Sequence, residues 1–352
     1  MAEQATILIP DISGFTNFTN ATEIDHGAHI IVELLKLIIE ANDTGFTLAE
    51  IEGDAVLFYR KGEPLPRKRL VGQCLKMFSK FHEQLMVIER DTVCRCGACQ
   101  TVTDLTLKFV THFGSIKEIR LADFVNAIGP GMIVAHRLMK NAIDSHEYIL
   151  MTGPCCEAVG PSVPDVDLEW RKSSQAYDVI GDVDFEFATL TRYRAKVPRP
   201  PARPRFVINR GEDNLEIEIR APMKTVYQTL VNVDMRTEWM TGGAPVNRDM
   251  TSERIGMQHN CIFEGMKLIN RAAAADYGEE HSLYCEYVEM PDLDLKVAVY
   301  YEMDRLEDGN TRLNFNVNWM GASLPAENKM GMIGAMKPHL EALKEVCENA
   351  SG

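Results

Sequence analysis

The hydrophobic and polar positions of the chain follow two periods, and each period predicts a different kind of element. Apolar residues spaced three and four apart over 26–41 and 67–89 predict two amphipathic helices, each with one stripe that can cover a sheet. The short apolar run at 7–9 predicts a buried strand instead. A further strand is predicted over 123–129, and a helix over 130–142 begins at a proline, which tolerates the first helical turn. The N-terminal half is therefore expected to alternate strands with helices.

The C-terminal half has a different pattern, dominated by strands. A strand over 215–219 precedes a helix that begins near Pro222, and the runs 293–299 and 313–319 alternate apolar with polar residues. Such alternation gives each strand one buried face and one face in water. The chain then closes with an amphipathic helix, whose apolar stripe contains Met336, Leu340, Leu343 and Val346.

A change of composition separates the two halves. Residues 196–205 contain four prolines and four cations, which is typical of a stiff and extended connector. At 352 residues the chain is also too long for one ordinary core. We therefore predict two domains, 1–195 and 208–352, joined by a linker at 196–207.

Composition and charge exclude several classes of protein. The chain is 45% hydrophobic and 25% charged, and it has no apolar run long enough to span a bilayer. A net charge of −14 argues against a general binder of nucleic acid or of anionic membranes. Nine cysteines and an N-terminus without a basic signal region point to a reducing compartment, so we expect a cytoplasmic protein.

Two carboxylates stand beside glycines that predict tight turns. Asp11 follows the predicted strand at 7–9, just before Ser-Gly-Phe-Thr, and Asp54 closes a predicted hairpin at 52–54. A turn of this kind exposes backbone N–H groups that can bind an anion. Paired carboxylates beside such a turn suit a divalent cation that carries a polyphosphate. The alternative is that both aspartates only form turns.

These stretches resemble the catalytic domain of the class III adenylate and guanylate cyclases. In that family the first strand ends in Asp-Ile-x-Gly-Phe-Thr and a hairpin carries Gly-Asp, and this chain has both, at 11–16 and 53–54. The resemblance implies an α+β fold, with a ferredoxin-like domain built on a βαββαβ core. It implies metal ligands for Mg²⁺ or Mn²⁺ at Asp11, Ile12 and Asp54. It implies contacts to a purine nucleoside triphosphate at Gly14, Phe15, Thr16, Glu50 and Asn126, the last two as readers of the base. Family sites form between two protomers, so a homodimer is implied.

Three later stretches extend this resemblance and also depart from it. Residues 107–114 look like the family's Leu-Arg-x-Gly-Ile-His-x-Gly strand, and 127–138 are similar to its Trp-Gly-x-x-Val-Asn-x-Ala-x-Arg-Leu signature. Arg137 falls on the transition-state arginine, although a helix cation in solvent is the alternative. Ile133 replaces the family's asparagine, and Ile180 replaces the lysine of its Val-Lys-Gly strand. The loss of these polar groups predicts weak cyclase activity or none.

Three cysteines lie within six residues, at Cys94, Cys96 and Cys99. Thiolates at this spacing can bind Zn²⁺, but a tetrahedral site needs a fourth ligand. A redox-sensitive thiol cluster and inert loop cysteines are the alternatives.

Residues 208–350 resemble the START-like ligand-binding domains, also called the polyketide cyclase or SRPBCC group. The resemblance rests on Ile219-Arg220-Ala221-Pro222 and Arg236-Thr237-Glu238-Trp239, and on the order of the elements. It implies a helix-grip domain with a curved antiparallel sheet and a long C-terminal helix, enclosing a cavity for a hydrophobic small molecule. The methionines at 320, 330, 332 and 336 then line the cavity or, alternatively, fill the core. His259 and Glu264 are ionisable candidates inside it.

Two functional interpretations follow. The first is a cytosolic signalling protein that couples a metal-dependent, cyclase-like domain to a sensor of a hydrophobic ligand. The alternative is a catalytically inactive cyclase-like dimer scaffold, whose START-like domain binds or transforms a lipid-like or polyketide-like molecule.

Overall fold

The computed structural model describes residues 3–20, 24–93, 101–121, 124–161, 168–202, 214–240, 243–248, 254–263, 265–320 and 324–351. The chain divides into two compact units. The first consists of Met1–Glu89 and Gln100–Pro201, and the second of Arg90–Cys99 and Ala202–Gly352. None of the helices in these ranges is long and apolar enough to cross a bilayer.

In the described residues, the first unit contains eight strands and several helices. In chain order the elements are β1 (Glu3–Ser13), α1 (Phe15–Asn20), α2 (Ile24–Glu40), β2 (Thr47–Glu52), β3 (Ala55–Lys61), α3 (Arg67–Asp91), β4 (Thr106–Leu121), β5 (Phe124–Ile128), α4 (Pro130–Leu138), β6 (Tyr148–Thr152), α5 (Gly153–Val159), β7 (Trp170–Tyr177), β8 (Gly181–Thr189) and α6 (Thr191–Arg194). The strands lie in the order β2-β3-β1-β4-β6-β8-β7, and β5 pairs with β4. The elements β1, α2, β2, β3, α3 and β4 follow the βαββαβ order predicted from the sequence.

Strand β1 is an interior strand of this sheet and is buried from Ala5 to Ser13. It pairs antiparallel with β3 on one side and with β4 on the other. Its residues Ile7 and Ile9 pack in one core cluster with Ala135 and Leu138 of α4. Each buried isoleucine of this kind contributes roughly 1.5–3 kcal/mol to stability. The burial of β1 therefore fixes the position of the residues at its end.

Helix α4 lies directly against the backbone of β4. A Cβ atom on Gly129 would come within 2.9 Å of the Ser115 carbonyl oxygen, and one on Gly131 within 3.0 Å. Gly129 also has a φ of +136°, which favours glycine. Only glycines allow this close approach, so α4 and β4 are held together at the start of the helix.

The second unit contains one antiparallel sheet of seven strands. Its elements are β9 (Asn214–Ile219), α7 (Met223–Val231), α8 (Arg236–Trp239), β10 (Gly243–Arg248), β11 (Gln258–Phe263), β12 (Met266–Tyr277), β13 (His281–Met290), β14 (Leu295–Arg305), β15 (Thr311–Met320) and α9 (Ala326–Ser351). The strands lie in the order β10-β11-β12-β13-β14-β15-β9. The predicted order of a strand, short helices, further strands and a long C-terminal helix is observed, and the chain as a whole is α+β.

Residues 90–93 belong to the second unit, although the sequence-based division placed them in 1–195. The hydroxyl of Tyr227 donates a hydrogen bond to the Val93 carbonyl at 2.9 Å, and Thr92 bridges to Arg254. The Ile255 amide donates to the Asp91 carbonyl at 2.7 Å. These contacts join residues far apart in the sequence, so no local pattern could reveal them.

Some predicted boundaries differ from the structure. The strand predicted from 293 begins at Leu295, because Asp294 adopts a left-handed conformation and Leu293 is 52% exposed. The helix predicted over 130–142 ends at Leu138, whose carbonyl accepts a hydrogen bond from the Asn141 side chain at 2.7 Å. Ile180 lies in the turn before β8 rather than in a strand.

Candidate functional site

The pairing of strands brings the two predicted metal-binding carboxylates together. Asp11 lies near the end of β1, opposite Ala55 of β3, and Asp54 lies in the two-residue loop between β2 and β3. Gly53 takes the first loop position with a φ of +61°, as a tight hairpin requires. The Ile12 amide donates a hydrogen bond to the Asp54 carbonyl at 3.1 Å, which fixes the loop beside β1.

Asp11 and Asp54 line one cavity of about 740 Å³. Residues 11–18 form one wall, and the side chains of Lys108, Lys140 and His146 contribute to the rest. Gly14 in this wall has a φ of +89°, and a Cβ there would meet the Asp104 carbonyl oxygen at 3.2 Å. The cavity therefore combines two carboxylates, basic groups and a glycine turn.

Burial and neighbouring charges oppose each other at Asp11. Burial raises the pKa of the Asp11 carboxyl, the ammonium of Lys108 lowers it, and the charge of Asp54 raises it again. The net pKa is above the ordinary value. Burial also raises the pKa of Asp54, against a backbone hydrogen bond and the charge of Lys108. Both carboxylates are therefore in an environment where an added cation is favourable.

Lys108 reaches Asp11 because β4 pairs with β1 in a register that places the two residues opposite each other. Its Nζ lies 3.1 Å from Oδ2 of Asp11, and its side chain is 18% exposed. Sequence analysis did not single out Lys108, Lys140 or His146. The motif at 107–114 contains Lys108, but its contact with Asp11 depends on the pairing of two distant strands.

The residues present fit a cation that also binds phosphate. Asp11 and Asp54 supply carboxylate oxygens, which are the ligands that Mg²⁺ and Mn²⁺ prefer. Within the described ranges no three residues of the types His, Cys, Asp and Glu gather as a metal site. Protein sites for Mg²⁺ often use one or two carboxylates and complete their coordination with water and substrate phosphates. Two carboxylates suit that arrangement.

Arg137 lies outside this cavity. It is an exposed residue in the last turn of α4, and it lines a second cavity of about 580 Å³ with Glu52 and Tyr177. Ile133, one turn earlier on the helix, is 54% exposed. Met139 and Lys140 line both cavities. Within one chain, Arg137 therefore does not line the cavity that contains the carboxylate pair, although the two cavities share two lining residues.

The two predicted base-reading residues also lie outside the carboxylate cavity. Glu50 is exposed on β2, the edge strand of the sheet, and Asn126 is half-buried on β5, opposite Ile119. The structure thus brings together Asp11, Asp54 and the stretch 12–16, and it leaves Arg137, Glu50 and Asn126 apart within a single chain.

The predicted cysteine cluster lies outside the described residues, as do all positions from 94 to 100, and so does Glu264. Of the thiols in the described residues, all except the partly exposed Cys156 are buried. Burial raises the pKa of Cys155 to about 12, and the pKa of the buried Cys74 thiol is raised as well. Such thiols are poor nucleophiles and poor metal ligands at neutral pH.

The second unit contains a smaller and mainly apolar cavity of about 290 Å³. Four methionines were expected either to line this cavity or to fill the core: Met332 and Met336 line it, whereas Met320 and Met330 do not and are 43% and 70% exposed. Two charged side chains also reach the cavity, Arg236 from α8 and Glu286 from β13. The buried residue His259 contacts Arg236 at 3.0 Å.

Comparison with known sequences identifies one family and one curated relative. Residues 31–148 match the family described as "Protein of unknown function (DUF2652)". The "Uncharacterized protein Rv2561/Rv2562" of Mycobacterium tuberculosis is 30% identical over 174 residues, which is 49% of this chain and 78% of that protein.

Comparison with solved structures finds nucleotide cyclases, at low identity. The catalytic core of a rhodopsin-guanylyl cyclase has a TM-score of 0.38 and 16% identity, and covers 53% of this chain and 96% of its own. The adenylyl cyclase CyaB from P. aeruginosa has a TM-score of 0.39 and 15% identity, and its match covers 54% of this chain and 95% of that protein. The guanylyl cyclase Cya2 has a TM-score of 0.37 and 16% identity, and its match covers 54% of this chain and 92% of that protein.

Proposed function

We propose that this chain, which belongs to the family of the uncharacterized protein Rv2561/Rv2562 of Mycobacterium tuberculosis, binds a purine nucleoside triphosphate with Mg²⁺ or Mn²⁺ in a cyclase-like first unit. The observation that carries the proposal is the meeting of Asp11 and Asp54 in one cavity with residues 12–16. A cavity of about 740 Å³ is within the usual range for small-molecule sites.

In this proposal the acidic residues of the cavity bind the cation, and the basic residues face the phosphates. Asp11, Asp54 and the backbone of Ile12 hold the cation, and the turn at 14–16 faces the phosphates. Lys108 and Lys140 offset the remaining phosphate charge from the protein side. When bound, the cation supplies positive charge that neutralises the phosphate oxygens.

We further propose that the working form is a homodimer. Arg137 does not line the cavity of the carboxylate pair in its own chain, which supports an arrangement in which a second copy supplies the arginine that contacts the nucleotide. Large apolar side chains are exposed on the first unit, among them Ile51, Ile128 and Ile133. We propose that these residues form part of a surface that the partner covers. In this dimer Glu50 and Asn126 read the base across the interface.

The chemistry of the bound nucleotide depends on residues that this chain lacks. The side chains of Ile133 and Ile180 cannot donate hydrogen bonds, whereas the cyclase resemblance implies a side-chain amide and an ammonium at these positions. One such donor is worth several kcal/mol to a transition state. We therefore propose nucleotide binding with weak cyclase activity or none, in a signalling protein; a dimer scaffold without catalysis is the second form of the same proposal.

The second unit has a function of its own in this proposal, as a START-like sensor that binds a hydrophobic small molecule. The supporting observation is the cavity of about 290 Å³, whose walls are mainly apolar. For Cys94, Cys96 and Cys99 we propose Zn²⁺ binding, with a redox-sensitive cluster as the alternative. Elemental analysis of protein purified without added metal tests the zinc proposal, which fails if no zinc is found.

Thermal unfolding of the full chain tests the nucleotide proposal. GTP or ATP with Mn²⁺ should raise the melting temperature, since a ligand at a hundred times its Kd stabilises by about 2.7 kcal/mol. Asp54→Ala should abolish the effect. Asp43→Ala is the matched control, because Asp43 is an exposed aspartate that pairs with Lys76 away from the cavity. Equal melting shifts in both variants would refute the assignment of the site.

A further inference from the structure

One ammonium group of the protein acts on both carboxylates of the candidate nucleotide site. Nζ of Lys108 lies 3.1 Å from Oδ2 of Asp11. Its charge also reaches Asp54, since it lowers the pKa of both carboxyls against the larger effect of burial, which raises them. The first unit therefore places a positive charge of its own beside the carboxylate pair.

Lys108 is held in this position by its strand and by a second acceptor. It lies opposite Asp11 in the pairing of β4 with β1, and its neighbours Leu107 and Phe109 are fully buried. Nζ also lies 3.5 Å from the carbonyl oxygen of Met139, the residue after α4. The Lys108 side chain is only 18% exposed. Moving the ammonium away would separate a mostly buried charge from its partners, which is unfavourable.

The number of divalent cations in a phosphate-binding site depends on the oxygen ligands that the protein offers. Such sites hold one ion or a pair, and the two ions of a pair lie roughly 3.5–4 Å apart. A pair that is held by two carboxylates draws on the oxygens of both, because Mg²⁺ needs octahedral coordination. In this chain Oδ2 of Asp11 already contacts a cation, the ammonium of Lys108.

The other side chains of the cavity do not make up for this oxygen. Asp104 and His146 line the same cavity as the carboxylate pair. Even so, among the residues that the structure describes, no three of the types His, Cys, Asp and Glu gather as a metal site. Lys140, which also lines the cavity, adds positive charge rather than a ligand. The cavity therefore offers protein ligands for one divalent cation and not for two.

We propose that Lys108 takes the place of a second divalent cation, so that the site binds its nucleotide with a single Mg²⁺ or Mn²⁺. This inference rests on the proposed nucleotide binding of the first unit and adds the number of metal ions. An ammonium donates hydrogen bonds to oxygen but offers no coordination position. It cannot lower the pKa of a hydroxyl group as a bound metal ion does. A site of this kind suits nucleotide binding with slow turnover or none.

Counting the bound Mn²⁺ tests the proposal. The full chain is saturated with Mn²⁺ and an ATP or GTP analogue in which a methylene group replaces the oxygen between the α- and β-phosphates. Equilibrium dialysis gives the number of ions, and paramagnetic resonance shows whether two ions are coupled. We expect one uncoupled Mn²⁺ per chain beyond what Asp54→Ala retains. A coupled pair overturns the proposal and leaves nucleotide binding intact, whereas a chain that binds neither Mn²⁺ nor analogue refutes both.

Three variants assign the count to Lys108. Lys108→Met removes the ammonium and should admit a second, coupled Mn²⁺. Lys108→Arg keeps the positive charge and should bind one. Lys140→Met is the matched control, because it removes a charge from the same cavity and leaves the contact between Lys108 and Asp11; it should also bind one.

A single Mn²⁺ in folded Lys108→Met, or a coupled pair in Lys108→Arg, overturns the role of the lysine. The melting temperature of each variant shows whether it is folded. If Lys108→Met does not fold, the counts in the unaltered chain and in Lys108→Arg decide.

Discussion

The ammonium of Lys108 lies 3.1 Å from Oδ2 of Asp11, at the centre of the candidate nucleotide site. The protein therefore supplies its own counter-charge to one of the two carboxylates. A divalent cation that binds Asp11 therefore competes with Lys108 for Oδ2 or is repelled by its ammonium from Oδ1. Lys108 thus affects metal binding and phosphate binding in opposite directions.

We predict that Lys108→Met raises the affinity for Mn²⁺ alone by roughly tenfold, or about 1.4 kcal/mol, because a competing cation is removed. The same variant should bind the triphosphate less tightly, since a positive charge is lost. Titration calorimetry with Mn²⁺ and then with nucleotide measures both effects. Lys117→Met, an exposed lysine on the same strand outside the cavity, should change neither. Unchanged Mn²⁺ affinity in Lys108→Met would contradict the proposed competition.

The raised pKa of Asp54 predicts that this carboxylate destabilises the metal-free protein at neutral pH. A group whose pKa is higher in the folded state favours folding below its unfolded pKa of 3.8, and this advantage is lost as the pH rises through the folded pKa. Asp54→Asn should therefore increase the free energy of unfolding at pH 7, with no gain near pH 3. Urea denaturation at both pH values measures this change in the free energy of unfolding. The pKa of Asp43 is lowered by Lys76, so Asp43→Asn should instead decrease the free energy of unfolding at pH 7.

His112 predicts a loss of stability in mild acid. Burial lowers the pKa of its imidazole to about 4, and its Nδ1 lies 2.9 Å from the Thr152 hydroxyl oxygen. The unfolded chain takes up a proton near pH 6.5, so stability falls as the pH drops from there toward 4. His112→Gln should reduce the difference in unfolding free energy between pH 7 and about 4.5 by roughly 2–3 kcal/mol. An unaltered pH dependence would show that His112 is not the titrating group.

Arg236 and Glu286 form a buried ion pair in the second unit, which predicts a strongly non-additive pair of substitutions. Arg236→Met alone leaves Glu286 buried without its partner and should cost about 3–5 kcal/mol of unfolding free energy. Adding Glu286→Leu should recover most of this loss, because the uncompensated charge is then absent. Guanidinium denaturation of the two single variants and the double variant completes the cycle. Additive losses would mean that the two side chains stabilise the unit independently.

Two residues of this chain, Ile133 and Ile180, stand where the cyclase resemblance implies polar side chains, and we predict that restoring polar side chains there increases cyclase activity. Ile133→Asn with Ile180→Lys restores the polar groups that the cyclase resemblance implies. Cyclic nucleotide production in the presence of Mn²⁺ should rise at least tenfold over the unaltered chain, since each added donor is worth ~1.4 kcal/mol or more. Chromatographic detection of the product is the measurement. If the double variant binds nucleotide but forms no product, the scaffold interpretation is favoured.

Most of the predictions for the first unit came from patterns of residues that are adjacent in the sequence. Asp11 and Asp54 each stand at the end of a strand beside a glycine, and such turns are encoded by adjacent residues. The contact of Lys108 with Asp11 depends instead on the register of β4 against β1, across 97 residues (108 − 11). No single strand determines this register, so the lysine was missed.

In the second unit as well, features encoded by neighbouring residues were predicted, whereas contacts between residues far apart in the sequence were not. The alternating strands and the C-terminal helix follow from periodicity, whereas Leu293 was wrongly included in a strand because one left-handed residue, Asp294, ends the turn after it. The sequence marked 236–239 only as an architectural motif. The pairing of Arg236 with Glu286, 50 residues further on, arises from tertiary packing and became visible only in the structure.

Met139 and Lys140 form a partition with a cavity on either side, one holding the carboxylate pair and the other Arg137. This partition follows α4, whose first turn is pinned to β4 by Gly129 and Gly131. A molecule that pushes the partition from one side reduces the room available on the other. A shift of Met139 or Lys140 would therefore change the shape of both compartments at once.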